Sequence, residues 1–233
     1  MQNKTAEQFI QKLESLQSDE ELKKYERYFP LASRGNDKFI GVRMGQVFAL
    51  AKEFIEMPLN EIEELLESPV HEVRVGAVSI MDFQARDKST SNEHKKELFD
   101  LYTRRHDRIN TWDLVDRSAI HVVGGYLFDK PRDALYKLAG SRVMAERRTA
   151  IVSTFYFIGQ DDKDDTFKIA KLLLKDKEDL VHKATGWALR SAGGDELLHF
   201  LDENAAVMPR TALRYATEKL NKEQRDHYLK LKK

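Results

Sequence analysis

The sequence contains no cysteine among its 233 residues. Disulfide bonds and catalytic thiolates are therefore excluded, and the composition fits a reducing compartment such as the cytoplasm. Long apolar runs are missing as well, and the first residues lead directly into an amphipathic pattern, so we expect neither a membrane span nor a signal peptide. The 7 histidines are scattered rather than grouped with carboxylates, and we expect no metal or other cofactor.

An excess of charge of one sign is also absent. Lysine and arginine together number 39, as do aspartate and glutamate, so the formal net charge is +0. A basic binding face is still compatible with this total if acidic residues balance it elsewhere on the surface. The composition alone therefore neither identifies nor excludes a nucleic acid as the partner.

Proline and glycine are scarce, with 5 and 11 residues, and between them the apolar residues recur at helical spacing. Phe9, Leu13 and Leu16, for example, fall on one helix face. Ser18 followed by Glu21 predicts a capping box that opens the next helix. The prolines stand at predicted helix boundaries, namely Pro30, Pro58, Pro69, Pro131 and Pro209. Because no segment alternates in the manner of a strand, the predicted fold class is all-α.

Similar helix starts recur along the chain, each with a small residue at one register position. These small residues are Ala77, Ala119, Ala150 and Gly186, separated by gaps of 42, 31 and 36 residues. Gaps of this size are typical of one helix pair per repeat, as in HEAT-like arrays, and a small side chain lets neighbouring inner helices approach closely. We therefore predict a single HEAT-like repeat domain over 1–233, with a shortened last copy at 210–213.

A charged residue stands three positions before each small residue. These residues are Arg74, Asp116, Arg147 and Lys183, and the following register position adds Arg117, Arg148 and Arg210. Equivalent positions in a solenoid share one surface, usually the concave one, so the pattern predicts a basic stripe suited to a phosphate backbone. Cations that only flank solvated helices would produce the same pattern, and Asp116 would then be an ion-pair partner of Arg147 or Arg148.

The only two tryptophans, Trp112 and Trp187, fall within these repeats. Trp112 and Asp116 are four residues apart, so a helix places them on one face. A carboxylate and two indole faces suit the cleavage of a glycosidic bond, because they can stabilise the positive charge that develops on the sugar. The alternative is that both tryptophans are ordinary core residues.

Four short segments carry a family resemblance. They are 39–43 (FIGVR), 112–116 (WDLVD), 147–150 (RRTA) and 182–190 (HKATGWALR). In their order and spacing they resemble motifs of the AlkD-type DNA alkylation repair proteins, over roughly residues 20 to 220. Where members of that family carry a further aromatic residue before the Trp-Asp pair, this chain has Thr111. The resemblance implies a right-handed solenoid of HEAT-like repeats whose concave face binds DNA.

The resemblance also implies roles for individual residues. Asp116 would be the catalytic carboxylate, while Trp112 and Trp187 would be aromatic walls around the deoxyribose of the lesion. Arg148 would hold the DNA backbone beside the lesion. The further DNA contacts implied are Arg147, Lys183, Arg190, Arg43 and Tyr28.

The implied activity is that of a monofunctional DNA glycosylase acting on duplex DNA without base flipping. Its substrates would be cationic N3- or N7-alkylated purines such as 3-methyladenine and 7-methylguanine, which already carry the charge of a good leaving group. Base excision repair in a bacterial cytoplasm, at the nucleoid, would be the setting, with no obligate protein partner. Two alternatives remain: a non-catalytic DNA-binding protein with HEAT-like repeats, and a protein-scaffolding array.

Overall fold

The computed structural model describes residues 4–25, 27–29 and 36–231, and these residues confirm the all-α prediction. They contain no strand; Lys38 and Val70 form an isolated bridge. Pro58 and Pro209 directly precede helices, as predicted, whereas Pro30 lies outside the described residues. None of the described helices is long and apolar enough to cross a membrane.

The chain divides into two compact units, Met1–Ser118 and Ala119–Lys233, and the assignment of one domain over 1–233 stays a prediction. The helices of the first unit are α1 (Ala6–Glu14), α2 (Asp19–Tyr25), α3 (Met44–Glu53), α4 (Leu59–Glu67), α5 (His71–Arg86), α6 (Asn92–Arg104) and α7 (Trp112–Ala119), the last ending one residue beyond the boundary. The second unit contains a π-helix (Ile120–Gly125), α8 (Asp133–Ala139), α9 (Met144–Ile158), α10 (Asp164–Leu173), α11 (Asp179–Ala192), α12 (Gly194–Asn204), α13 (Arg210–Ala216) and α14 (Lys222–Lys230).

Helix α5 forms the centre of the first unit and is buried along nearly its whole length. Helices α3 and α4 pack against it, and α1 packs against both of them. Phe9 of α1 contacts the edge of Phe54 with ring centroids 5.3 Å apart, and its ring occupies the space beside Gly76. A Cβ at Gly76 would lie 2.3 Å from that ring, so only glycine permits this packing.

The second unit has inner and outer helices. The inner helices α9, α11 and α13 pack side by side in succession, while α8 and α10 pack against α9. Gly186 of α11 allows the closest approach, because a Cβ there would lie 2.4 Å from the carbonyl oxygen of Ala212. This contact confirms the predicted role of the small residue in α11. The handedness and the concave face of the predicted solenoid stay predictions.

The predicted capping box at the start of α2 is only half formed. The Ser18 hydroxyl accepts a hydrogen bond from the Glu21 N–H at 3.4 Å, as expected. The Ser18 N–H, however, donates to the carbonyl oxygen of Gly41 at 3.1 Å, and the Glu21 carboxylate pairs with Lys24 and Arg43 instead of turning back. A tertiary contact has therefore replaced the local one.

Candidate nucleic-acid interface

Trp112 begins α7, and one face of its indole is covered by Phe29. The two rings are nearly parallel, with centroids 5.9 Å apart and an interplanar angle of 15°. The Trp112 side chain is half-buried and lines a pocket of about 470 Å³ together with Tyr25, Tyr28 and Phe48. Trp112 is therefore a partly accessible residue rather than a member of the enclosed core.

Asp116 lies one helical turn after Trp112 on α7 and is half-buried. Residues four apart on a helix share a face, so the two side chains are neighbours on the surface of α7. The described residues that line the 470 Å³ pocket include Asp113 and Arg117 of α7 but not Asp116. The pocket is thus adjacent to Trp112, and Asp116 lies outside its lining.

Arg117 is held in the wall of this pocket. Its guanidinium pairs with the buried carboxylate of Asp82 at 2.8 Å and donates from Nε to the Ser79 hydroxyl at 3.0 Å. It also lies over the rings of Phe48 and Phe83, 4.7 Å and 4.8 Å from their centroids. Arg117 therefore has a structural role in the first unit. The basic stripe predicted instead that its side chain would be available to bind a DNA phosphate.

A buried ion network lies beneath the first turn of α7, and sequence reasoning missed it. The His71 imidazole lies 2.7 Å from the Asp113 carboxylate through Nε2 and 3.6 Å from the Asp37 carboxylate through Nδ1. Arg74 forms an ion pair with the same Asp37. The Thr111 hydroxyl donates to Asp113 at 2.7 Å. Thr111 therefore fixes the carboxylate that follows Trp112.

The electrostatics of this network favour a charged histidine. Burial would lower the pKa of His71, but its hydrogen bonds with Asp113 and Asp37 outweigh burial and raise the pKa to about 9. Burial would raise the pKa of Asp113, but the bond from His71 holds it below its usual range. Two opposite charges thus stabilise each other within the first unit.

The burial of Arg74 contradicts its predicted place in the basic stripe. Its side chain is fully buried, and besides the pair with Asp37 it donates to the carbonyl oxygen of Arg108 at 3.2 Å and to Asn110 at 3.3 Å. A guanidinium without solvent exposure cannot contact a phosphate backbone on the surface. The prediction that Arg74 belongs to a DNA-binding stripe is therefore wrong, because the residue is part of the ion network in the interior.

The segment 39–43 is anchored by a single carboxylate. Glu72, fully buried in α5, accepts hydrogen bonds from the backbone N–H groups of Ile40 at 3.1 Å, Gly41 at 2.8 Å and Val42 at 3.4 Å. Gly41 has a φ of +76°, and a Cβ at this position would lie 2.2 Å from the carbonyl oxygen of Ser18. The glycine of this motif is thus required by both its backbone conformation and its packing.

Arg43 and Tyr28, two of the predicted DNA contacts, are both exposed, and their contact with DNA stays a prediction. Tyr28 is 62% exposed, and Arg43 forms an exposed pair with Glu21 at 2.8 Å. Both residues line the same pocket as Trp112. The first unit therefore brings together three of the predicted site residues.

In the second unit, Trp187 of α11 is half-buried and packs on Phe155, with ring centroids 4.1 Å apart and an angle of 43°. Arg148 of α9 is only 4% exposed, and its guanidinium donates to the carbonyl oxygen of Leu180. Arg148 thus ties α9 to the first turn of α11. Arg148 is therefore almost entirely buried, and its contact with the DNA backbone stays a prediction.

The other three predicted phosphate contacts already have carboxylate partners. Arg147 binds Asp176 through two hydrogen bonds of 2.5 Å and 3.1 Å. Lys183 pairs with Asp179 at 2.9 Å, and Arg190 pairs with Glu218. A phosphate would have to take the place of a carboxylate at each of these residues. Among the residues that the structure describes, no group of three or more histidines and carboxylates is arranged to hold a metal ion.

Together these features define an all-α protein of paired helices with two half-buried indoles. Over residues 9–220 the chain matches the sequence model of the family described as DNA alkylation repair enzyme, and it belongs to that family. A solved structure titled a predicted DNA alkylation repair enzyme from Enterococcus faecalis has a similar fold, with a TM-score of 0.68 and 18% sequence identity, covering 88% of this chain and 97% of that one. No curated protein matches the chain. Family membership supports a role in DNA repair and a DNA substrate.

Proposed function

We propose that the protein is a DNA glycosylase that hydrolyses the N-glycosidic bond of N3- or N7-alkylated purines in duplex DNA. The observation that carries this proposal is the arrangement at the start of α7. Trp112 is half-buried beside a pocket that exposed Arg43 and Tyr28 also line, and Asp116 follows one turn later on the same helix face. Membership of the DNA alkylation repair enzyme family supports it.

The chemistry needs few protein groups because the lesion is already cationic. As the bond between C1′ and the purine nitrogen breaks, its electron pair passes to the base, which leaves as a neutral molecule without protonation by a general acid. A water molecule adds to C1′, and its surplus proton passes to solvent by way of Asp116. The sugar becomes positively charged along this path, and the Asp116 carboxylate would stabilise that charge and orient the water.

The aromatic residues would act on the sugar. Indole faces attract cations and polarised C–H groups, and Trp112 and Trp187 would each offer the face that is not packed on a phenylalanine. Arg148 would hold the phosphate beside the lesion. Arg147 and Lys183 would bind further phosphates by exchanging their carboxylate partners. Such contacts reach the sugar and the backbone only, so the base would stay outside the protein and no flipping step is needed.

The test is a base-release assay with duplex DNA that contains 3-methyladenine and 7-methylguanine. Wild type is expected to release free bases. Asp116→Asn is expected to lower the rate at least about 100-fold, the cost of losing one electrostatic stabiliser, while duplex binding is retained. The matched control is Asp164→Asn, an equal change of charge at a carboxylate that is 86% exposed at the start of α10, and it should leave the rate unchanged.

Absence of release by wild type from several cationic lesions would contradict the proposal. Salt-sensitive duplex binding without release would then identify a non-catalytic DNA-binding protein. Absence of both release and DNA binding would leave the protein-scaffolding alternative.

A further inference from the structure

Four arginines surround a pocket of about 540 Å³ in the second unit. They are Arg190 of α11, Arg210 and Arg214 of α13, and Arg225 of α14, accompanied by Tyr215 and Glu218. Four positive charges against one negative charge make this a local excess of cations in a chain whose net charge is +0. We call these four residues the arginine cluster.

Most of the arginine cluster is available to a ligand. Arg214 and Arg225 are exposed, and within the described parts of the chain no carboxylate lies at ion-pair distance from either of them. Arg210 is also exposed and donates to the carbonyl oxygen of Leu229 at 2.9 Å. Arg210 and Arg214 are four residues apart on α13, so their side chains leave the helix on one face.

Arg190 gives a second indication that the pocket takes an anion. One of its terminal nitrogens pairs with Glu218, while its Nε–H is buried without a hydrogen-bond acceptor. A buried donor without a partner is unfavourable, and an anion oxygen in the pocket would supply the acceptor. The Glu218 side chain is 58% exposed and that of Arg190 is 20% exposed, so solvent weakens the pair on its carboxylate side and another anion can replace the carboxylate.

We propose that the arginine cluster binds phosphodiester groups of the backbone of duplex DNA. Arginine matches phosphate geometry through two parallel hydrogen bonds, and cations on three separate helices suit a row of phosphates better than one small ion. The inference rests on the DNA-binding part of the proposed function and does not depend on base release. It adds Arg210, Arg214 and Arg225 to the proposed DNA contacts, and it places Arg190 in the same phosphate-binding pocket as these three residues.

The salt dependence of binding tests this proposal. The affinity for an undamaged duplex is measured by fluorescence anisotropy over a range of salt concentrations, for wild type and for Arg214→Gln/Arg225→Gln. Each phosphate contact that is lost should reduce the slope of log affinity against log salt by about one, so the double variant should lose about two, and it should weaken binding equally for all sequences. The matched control, Lys137→Gln/Lys175→Gln, removes the same charge from exposed positions outside the pocket and should keep the wild-type slope.

Equal slopes for the double variant and its control would overturn the proposal. If circular dichroism shows that the double variant does not fold, Glu218→Gln decides the matter. Removal of this carboxylate frees Arg190, so tighter duplex binding supports the proposal, and unchanged or weaker binding overturns it.

The outcome is separable from that of the proposed function. If wild type releases no base but the arginine variant shows a reduced salt slope, glycosylase activity is contradicted and DNA binding by the arginine cluster is supported. If wild type releases bases but the arginine variant has the same slope as the control, glycosylase activity is supported and DNA binding by the arginine cluster is contradicted.

Discussion

The imidazole of His71 lies 2.7 Å from the carboxylate of Asp113, and this contact connects the first turn of α5 to the first turn of α7. The His71 ring also packs on Phe29 and Phe39, with centroids 4.8 Å away in both cases. Phe29 in turn stacks on Trp112. The position of the Trp112 indole therefore depends on the buried ion pair between His71 and Asp113, the residue that follows Trp112.

The free energy of unfolding should depend on pH through His71. The pKa of His71 is raised from 6.5 to about 9 in the folded protein, so folding favours the protonated form. Its contribution is fully present below pH 6.5, declines as the pH rises from there to about 9, and is lost above that value. A shift of this size corresponds to about 3 kcal/mol.

Denaturation by urea at a series of pH values measures this effect. The difference in unfolding free energy between wild type and His71→Gln should narrow across the window from pH 6.5 to 9. The ring protons of His71 in wild type, followed by NMR, should titrate near 9. A titration near 6.5, or a difference that does not change with pH, would mean that His71 and Asp113 are not a charged pair.

The space around two glycines predicts opposite effects when each is replaced by alanine. Gly186→Ala places a Cβ 2.4 Å from the backbone oxygen of Ala212, which a side-chain rotation cannot relieve, so the unfolding free energy should fall by about 1–3 kcal/mol. Gly45→Ala, in the first turn of α3, meets no atom within 4 Å and should raise it by about 0.4–1 kcal/mol, because alanine loses less conformational freedom on folding. Urea denaturation of both variants measures the effects. An unaltered Gly186→Ala protein would contradict the close approach.

The fold class could be predicted from the sequence because it depends on local periodicity. The spacing of apolar residues specifies helices, and the small residue predicted in α11 lies where two helices meet, since Gly186 packs against Ala212. The capping of α2 was only half predictable. Ser18 donates its N–H to Gly41, a residue on an irregular segment whose position no local pattern specifies.

The burial of Arg74 could not be predicted from its place in the repeat. Its partner Asp37 lies on an irregular segment, and only the folded chain brings the two together. One signal was present, since α5 is apolar on almost every side after its first turn, as Val75 and Ile80 illustrate. A helix that is apolar all round is buried, and the charged residues of its first turn are then buried with it.

The motif WDLVD contains two carboxylates with different environments, which the sequence could not distinguish. Asp113 is bound by His71 and Thr111 and so belongs to the buried network. Asp116, three residues later, is not among the described residues that line the pocket beside Trp112. The spacing identified Asp116 as a neighbour of Trp112, whereas the structural role of Asp113 depends on His71, which only the folded chain brings close to it.

Tryptophan fluorescence can test whether each indole meets DNA. Trp187→Phe leaves Trp112 as the single tryptophan, and Trp112→Phe leaves Trp187; phenylalanine preserves an aromatic contact with Phe29 or Phe155 in each case. Both indoles are half-buried, so acrylamide should quench both in the free protein. Duplex DNA at saturating concentration should then reduce quenching in both variants, and high salt should reverse the protection. Protection of one variant alone would restrict the interface to that indole, and protection of neither would remove both tryptophans from it, since the DNA would be bound without covering them.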